Sequence, residues 1–115
     1  MNNDCIFCKV ARRESPATIE AETQRAIAFR SIEPVATHHI LVVPKNHIAH
    51  FGDIAKEDKE TIFEMVELVQ KLVSDLDIGK GYKVMVNGGA YQVVPHLHWH
   101  VLSGLAEDKD AITRT

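Results

Sequence analysis

The segment Pro95-His96-Leu97-His98-Trp99-His100-Val101-Leu102-Ser103 decides the fold of this chain. Its three histidines alternate with apolar residues, which is the period-two pattern of a half-buried strand. Successive side chains of a strand point to opposite faces, so the three imidazoles share one face. Imidazoles aligned in this way can bind a metal ion, or can bind and attack an anion. The alternative is a histidine-rich surface strand, or a core strand whose polar groups are satisfied. We predict a catalytic strand.

Length and charge exclude several classes of protein. A chain of 115 residues is long enough for one domain with a real core and too short for two. A net charge of −3 argues against a surface for nucleic acids or anionic membranes, which usually needs a basic excess. The sequence contains no apolar run near the ~20 residues of a membrane span and no secretory signal pattern. We therefore expect a cytoplasmic protein that binds neither nucleic acid nor membrane, although it could still bind a nucleotide.

Two helices are predicted outside the histidine strand. A short helix is expected from Cys5 to Arg13, with Asp4 as a natural N-cap. A long helix is expected from about Lys56 to Leu76, because aliphatic residues recur there at helical spacing. Gly79 and Gly81 follow this helix and are expected to close it.

Five strands complete the predicted fold. They are Thr18 to Glu22, Arg25 to Arg30, His39 to Val43, Tyr82 to Asn87 and Pro95 to Ser103. Each is a short apolar run with turn-forming residues at its ends. Because helices and strands are grouped and do not alternate, we predict an α+β class with an antiparallel sheet. The chain is expected to form a single domain at residues 1–104 and a loose polar tail at residues 105–115.

The histidine strand is the last of six blocks that share one resemblance. The blocks are Asp4–Val10, Phe29–Pro34, His39–His47, Lys80–Tyr82, Met85–Gly88 and His96–Leu102. In this order they resemble the histidine triad (HIT) family, in its branch of histidine triad nucleotide-binding proteins. The resemblance implies a HIT-like fold, which has a five-stranded antiparallel sheet, one long helix and a short N-terminal helix. It also implies a homodimer, with the long helix and a strand edge at the interface.

The resemblance implies an activity as well. The family binds purine mononucleotides such as AMP or GMP, and this branch cleaves nucleoside phosphoramidates (adenylyl amines) at the α-phosphorus through a nucleotidyl-histidine intermediate. No organic cofactor is expected.

His98 matches the nucleophile, and an imidazole is both a fair nucleophile toward phosphorus and a leaving group. His100 matches the residue that contacts the phosphate and the leaving group. His39 matches a histidine that braces the triad, although it could equally be a satisfied polar group at a strand end.

The same resemblance assigns a nucleotide site. Its residues, besides His98 and His100, are Ile6, Phe7, Val10, Phe29 and Ile32 around the purine, Ser31 at the ribose, and Asn87 and Gln92 at the phosphate. The apolar members could instead be ordinary core residues, and the two amides could be turn residues.

The chain departs from the family pattern at two of these places. Ser31 replaces an acidic residue that accepts hydrogen bonds from the ribose hydroxyls, so we expect weaker ribose recognition. Val93 replaces a hydroxyl side chain near the α-phosphate. In addition, the turn between Asn87 and Gln92 is short, and no tryptophan follows Gly104.

A second group of residues suggests a metal site. Cys5 and Cys8 form a C-x-x-C pair, and with His47 and His96 they supply two sulfur and two nitrogen ligands, a set that suits tetrahedral Zn²⁺. Some family members with this opening hold structural zinc at these positions. In that case His96 is a structural ligand. The alternative is a pair of reduced thiols near an ordinary surface His47.

Three other functions remain open at this stage. The chain could be a nucleotide-binding regulatory protein with little turnover, which the departures at Ser31 and Val93 favour. It could be a zinc-binding interaction module, although its aligned histidines exceed the four ligands such a site needs. It could also be a dinucleotide polyphosphate hydrolase from another branch of the family.

Overall fold

The computed structural model describes residues 4–105 and contains two helices and five strands over that range. In chain order these are α1 (Ile6–Ala11), β1 (Ile19–Glu22), β2 (Ala26–Arg30), β3 (Ala36–Pro44), α2 (Lys59–Asp75), β4 (Lys83–Val86) and β5 (Trp99–Leu105). Short 3₁₀ turns occupy Phe51–Asp53, Lys56–Asp58 and Gly89–Tyr91. The predicted α+β class, with five strands, one long helix and one short N-terminal helix, is confirmed.

The strands form one antiparallel sheet in the order β1-β2-β3-β5-β4. On one face Ile40, Val42 and Val101 pack in a cluster with buried residues of α2. On the other face Leu41 and Val43 pack in a cluster with α1. The sheet is therefore covered on both faces at β3, which explains the unbroken apolar run of that strand.

β5 begins later than predicted. The ladder between β3 and β5 starts at the pair Val42–Trp99, so His96 and His98 precede the strand. The physical reason lies in the backbone before Trp99. The His96 N–H donates to the Val94 carbonyl and the Leu97 N–H donates to the Ile48 carbonyl, and these bonds take the segment away from the ladder.

The N-cap of α1 also differs from the prediction. Cys5 occupies this position, and its Sγ accepts from the Cys8 N–H at 3.4 Å. Asp4, the predicted cap, lies one residue before it. A thiol therefore satisfies one of the free N–H groups of the first turn, a role more often filled by a carboxylate or a hydroxyl.

The end of α2 is closed by an aspartate and not by a glycine. Asp77 has φ 53°, in the left-handed region that short polar residues tolerate better than most. Its N–H donates to the Ser74 carbonyl, and the Ile78 N–H donates to the Val73 carbonyl. Ile78 is buried against the core, and this burial ends the helix before Gly79 is reached.

The end of β5 lies at the boundary that was predicted between the domain and its C-terminal tail. Leu105 pairs with Ala36 at the end of β5, so the residue predicted to open the tail belongs to the strand. The rest of the predicted tail, residues 106–115, lies outside the described residues. Within residues 4–105, neither helix has the length and apolar character needed to cross a membrane.

Candidate functional site

The three histidines of the triad are buried on the face of the sheet that α1 covers. His96, His98 and His100 have exposed fractions of 0%, 2% and 0%. The ring centroids of His98 and His100 are 5.0 Å apart. Phe7 of α1 meets the rings of His96 and His98 edge-on, with centroid distances of 5.8 and 5.0 Å. The shared face expected from the alternation is therefore present, although only His100 lies in β5 itself.

The hydrogen bonding of His98 assigns its tautomer. Its Nδ1 lies 2.7 Å from the carbonyl oxygen of His96. A carbonyl can only accept, so Nδ1 carries the proton and donates it. In the neutral ring Nε2 then holds a bare lone pair, and this buried atom has no hydrogen-bond partner among residues 4–105. A neutral imidazole with a free Nε2 has the form that a nucleophile requires.

A second chain of hydrogen bonds assigns the tautomer of His100. The Val35 N–H donates to His39 Nδ1 at 3.2 Å, so the neutral His39 ring carries its proton on Nε2. That Nε2 lies 2.9 Å from His100 Nδ1, which must accept. A neutral His100 therefore carries its proton on Nε2 and can donate from that atom. His39 acts here through His100, which fits the bracing role the resemblance implies.

Burial keeps His39 neutral. Its pKa falls to about 4, mainly because the ring is removed from water and in smaller part because of electrostatic repulsion from His98. A protonated His39 could not accept from the Val35 N–H at Nδ1. The hydrogen-bonded pair of His39 and His100 therefore depends on the neutral form.

The four predicted metal ligands converge. The potential ligand atoms of Cys5, Cys8, His47 and His96 all lie within 4.8 Å of one another. His96 Nδ1 is 3.1 Å from Cys5 Sγ and 3.5 Å from Cys8 Sγ, and His47 Nδ1 is 3.3 Å from Cys8 Sγ. The structure thus brings together residues that are 91 positions apart in the chain.

The chemistry of this cluster fits a soft divalent cation. His96 Nε2 lies 2.8 Å from the Pro44 carbonyl, so it donates there and leaves the Nδ1 lone pair facing the two sulfurs. Burial is the main reason why the pKa of the Cys8 thiol rises to about 11, and the Cys5 thiol adds to the effect. A thiolate at Cys8 therefore needs a positive ion beside it. Two thiolates and two neutral imidazoles form a closed tetrahedral set for Zn²⁺.

A cavity of about 300 Å³ opens between α1 and the end of β2, and its lining residues include none of the three histidines of the triad. Its lining includes all six residues that were predicted to bind the purine and the ribose: Ile6, Phe7, Val10, Phe29, Ser31 and Ile32. Ile32 is 92% exposed, so it is not an ordinary core residue. Phe7 both lines the cavity and contacts His98, which connects the cavity to the triad.

Several residues of the cavity were not predicted from the sequence. They are Ser15, Pro16, Ala17, Arg30, Glu33, Leu41, Val93 and Val94. Of these, Val93 was recognised only as a departure from the family pattern. The Val35 N–H, which orients His39, was also missed, since a backbone group carries no side-chain signal.

The two predicted phosphate-site amides have different surroundings. The pairing of β4 with β5 ends at Val86 and Trp99, so Asn87 and His98 are the first residues beyond the paired part of these two strands. Gln92 does not line the cavity. Its Nε2 lies 2.8 Å from the Ala49 carbonyl and 2.9 Å from the Val94 carbonyl, so the amide of Gln92 binds the backbone.

Known proteins match this chain over most of its length. A family model described as HIT domain matches residues 12–107. The adenosine 5′-monophosphoramidase of Candida albicans is 35% identical over 104 residues, which cover 85% of this chain and 68% of that protein. The adenosine 5′-monophosphoramidase of Schizosaccharomyces pombe is 35% identical over 100 residues, which cover 85% and 72%. The crystal structure of a HIT family hydrolase from Legionella pneumophila superposes with a TM-score of 0.86 at 35% identity, covering 92% and 97% of the two chains.

The depressed pKa of His39 predicts how stability depends on pH. The folded chain holds this pKa near 4 while the ordinary value is 6.5, so between these values the unfolded chain binds more protons and acid destabilises the fold. Between about pH 7 and about pH 5 we expect wild type to lose roughly 2 kcal/mol more unfolding free energy than His39→Gln. Urea unfolding at both pH values measures this. The control is His50→Gln, which removes an exposed imidazole and should behave as wild type. Equal losses in wild type and His39→Gln would contradict the prediction.

Proposed function

Because this chain belongs to the HIT domain family, we propose that it is a hydrolase that binds purine mononucleotides and cleaves nucleoside phosphoramidates at the α-phosphorus. The observation that carries the proposal is the buried Nε2 of His98, which has no hydrogen-bond partner among residues 4–105, together with the contact of the His98 ring with Phe7, which lines a nucleoside-sized cavity. The names of the two fungal relatives, both adenosine 5′-monophosphoramidases, support this substrate class.

The proposed reaction proceeds in two displacements. His98 Nε2 attacks the α-phosphorus, and its bond to phosphorus forms as the bond from phosphorus to the amine breaks. The leaving amine takes up a proton from solvent as its bond to phosphorus breaks. Water then attacks the same phosphorus, the bond from phosphorus to oxygen forms as the bond to His98 Nε2 breaks, and the attacking water returns one proton to solvent. Each displacement is easier than a direct attack of water on the substrate.

The surroundings of His98 and His100 suit these steps. Nucleotidylation places positive charge on the His98 ring, and its Nδ1–H donates to the His96 carbonyl, which stabilises that charge. The Nε2–H of His100 can donate to a phosphoryl oxygen as negative charge develops there. His39 holds the His100 ring by accepting from the backbone at one nitrogen and donating at the other.

Two other functions from the sequence remain candidates. Val93 lines the cavity with an apolar side chain where a hydroxyl would be expected, which favours a nucleotide-binding regulator with slow turnover. A dinucleotide polyphosphate hydrolase would use the same His98 chemistry. Steady-state hydrolysis of adenosine phosphoramidate, compared with that of diadenosine polyphosphates, distinguishes the phosphoramidate hydrolase from these two alternatives. We expect the phosphoramidate to be the better substrate.

The test of the mechanism is His98→Ala. Removal of a nucleophile abolishes the chemical step and largely spares binding, so the variant should bind AMP while turnover falls by orders of magnitude. Acid-quenched wild type should retain labelled nucleotide on the protein, and the variant should not. His50→Ala, which removes an exposed histidine, is the control. Equal labelling of wild type and His98→Ala would overturn the assignment.

We further propose a structural Zn²⁺ held by Cys5, Cys8, His47 and His96. When bound, the ion would tie α1 to the segment before β5, and four protein ligands leave no open position for a catalytic water. Elemental analysis of protein purified without chelator should find about one zinc per chain. Cys5→Ser should lose the metal and melt at a lower temperature. Metal-free wild type with the same thermal stability as Cys5→Ser would show that the thiols are merely reduced.

A homodimer and a cytoplasmic location complete the proposal. β4 is an edge strand, and its Val84 and Val86 are exposed together with Phe51 and Phe63, which supports an interface along this edge and α2. Sedimentation equilibrium that gives the mass of one chain would contradict the dimer.

The free thiols Cys5 and Cys8 suit a reducing compartment, and cell fractionation tests the cytoplasmic location.

The surroundings of Ser31 indicate that a carboxylate at this position would bind AMP more tightly. Ser31 Oγ accepts from the Glu33 N–H at 3.1 Å, so part of its acceptor capacity is already used. An aspartate could accept this bond with one oxygen and still offer the other to a ribose hydroxyl. We expect Ser31→Asp to tighten AMP binding by about 1 kcal/mol, or roughly fivefold, after the cost of desolvating the carboxylate.

Titration calorimetry measures this gain in a complete cycle of two proteins and two nucleotides. The gain should largely vanish with 2′,3′-dideoxy-AMP, which has no hydroxyl to donate. If Ser31→Asp binds AMP no better than wild type, then Ser31 does not face the ribose.

A further inference from the structure

We infer that Gln92 is a positioning residue for the catalytic segment and not a ligand of the substrate phosphate. The inference rests on the proposed function and changes the role that the family resemblance gives to this amide. Both hydrogens of the Gln92 amide are used, since Nε2 lies 2.8 Å from the Ala49 carbonyl and 2.9 Å from the Val94 carbonyl. The side chain keeps only Oε1, and an acceptor oxygen does not bind a phosphate, which also presents acceptors.

The segment that Gln92 anchors needs support from outside the sheet. The β3–β5 ladder begins at Trp99, so the backbone of His96 and His98 receives no hydrogen bonds from that ladder. Other bonds tie residues 92–97 to residues 44–49. They are Gln92 Nε2 to the Ala49 carbonyl, the Leu97 N–H to the Ile48 carbonyl at 2.6 Å and His96 Nε2 to the Pro44 carbonyl at 2.8 Å.

Gln92 is the residue that anchors the start of this segment to the rest of the fold. Its neighbours Tyr91 and Val93 are 79% and 69% exposed, so they contribute little anchoring. Gln92 is partly buried, and it binds both its own loop and the chain that follows His47. The Val94 carbonyl also accepts from the His96 N–H at 2.8 Å.

The effect passes from Gln92 to the nucleophile through the backbone. His96 contributes its carbonyl to His98 Nδ1, and this bond holds the His98 ring in the tautomer with a bare Nε2. Loss of the Gln92 bonds would let the Val94 to His96 backbone shift, and the His96 carbonyl would shift with it. Gln92 does not line the nucleotide cavity, and of residues 92–97 only Val93 and Val94 do, so most of the cavity wall would remain. Turnover should therefore fall while nucleotide affinity is kept.

The experiment compares three variants in the full chain. Gln92→Met keeps the shape and removes the N–H donors, and Gln92→Glu keeps an acceptor oxygen but cannot donate. We expect kcat to fall about tenfold or more in both, because small displacements of a reacting group are costly, with the Kd for AMP unchanged. Gln24→Met, at an exposed position of the turn between β1 and β2, is the matched control and should equal wild type. A loss confined to AMP affinity would make Gln92 a phosphate ligand and overturn the inference.

A spectroscopic readout separates this inference from the proposed function. The ¹⁵N shifts of the His98 ring report which nitrogen carries the proton, whether or not the protein turns over a phosphoramidate. Wild type should show protonated Nδ1, and Gln92→Met should show a mixture of tautomers. If wild type lacks hydrolase activity but this change occurs, the proposed function fails and the positioning role stands. Unchanged His98 shifts in both Gln92 variants would overturn the positioning role.

Discussion

The antiparallel pairing of β3 with β5 is the constraint on which the rest of the site depends. It places His39 opposite Leu102 and Leu41 opposite His100, so all four side chains share one face. The diagonal neighbours His39 and His100 then come within hydrogen-bond distance of each other. A slip of β5 by one residue against β3 would turn His100 toward α2 and bring its apolar neighbours to the face that His39 occupies. The two hydrophobic clusters of the sheet oppose such a slip, since each face has its own apolar set.

Helix α1 serves two sites at once. Its start supplies Cys5 and Cys8 to the thiol–imidazole cluster, and Ile6, Phe7 and Val10 line the cavity. A helix of six residues is too short to be stable by itself. Its position must therefore come from tertiary contacts, namely the apolar cluster beneath it and the cluster of thiols and imidazoles at its N-terminus. The cavity and the cluster of thiols and imidazoles thus share one structural element.

The protonation pattern of the triad follows from backbone carbonyls and amides more than from other side chains. In each ring a backbone group determines which nitrogen carries the proton. The carbonyls of His96 and Pro44 accept from His98 Nδ1 and His96 Nε2, and the Val35 N–H donates to His39 Nδ1, which leaves the His39 proton on Nε2. Burial removes competing water from these bonds and lowers the pKa values of His39 and His96 to about 4, so these two rings are neutral at pH 7. A rigid backbone frame of this kind prepares the imidazoles before substrate binds.

Much of this arrangement was determined by the sequence itself. Strict alternation of histidines with apolar residues can only place the imidazoles on one face of an extended segment, and the C-x-x-C pair with two histidines is a chemically complete ligand set. Other features required the tertiary structure. Sequence patterns report the side chains that segments bury, whereas the start of β5, the closure of α2 at Asp77 and the engagement of Gln92 depend on backbone groups brought together from distant parts of the chain. Such groups are the same in every residue, so only the folded chain decides which of them meet.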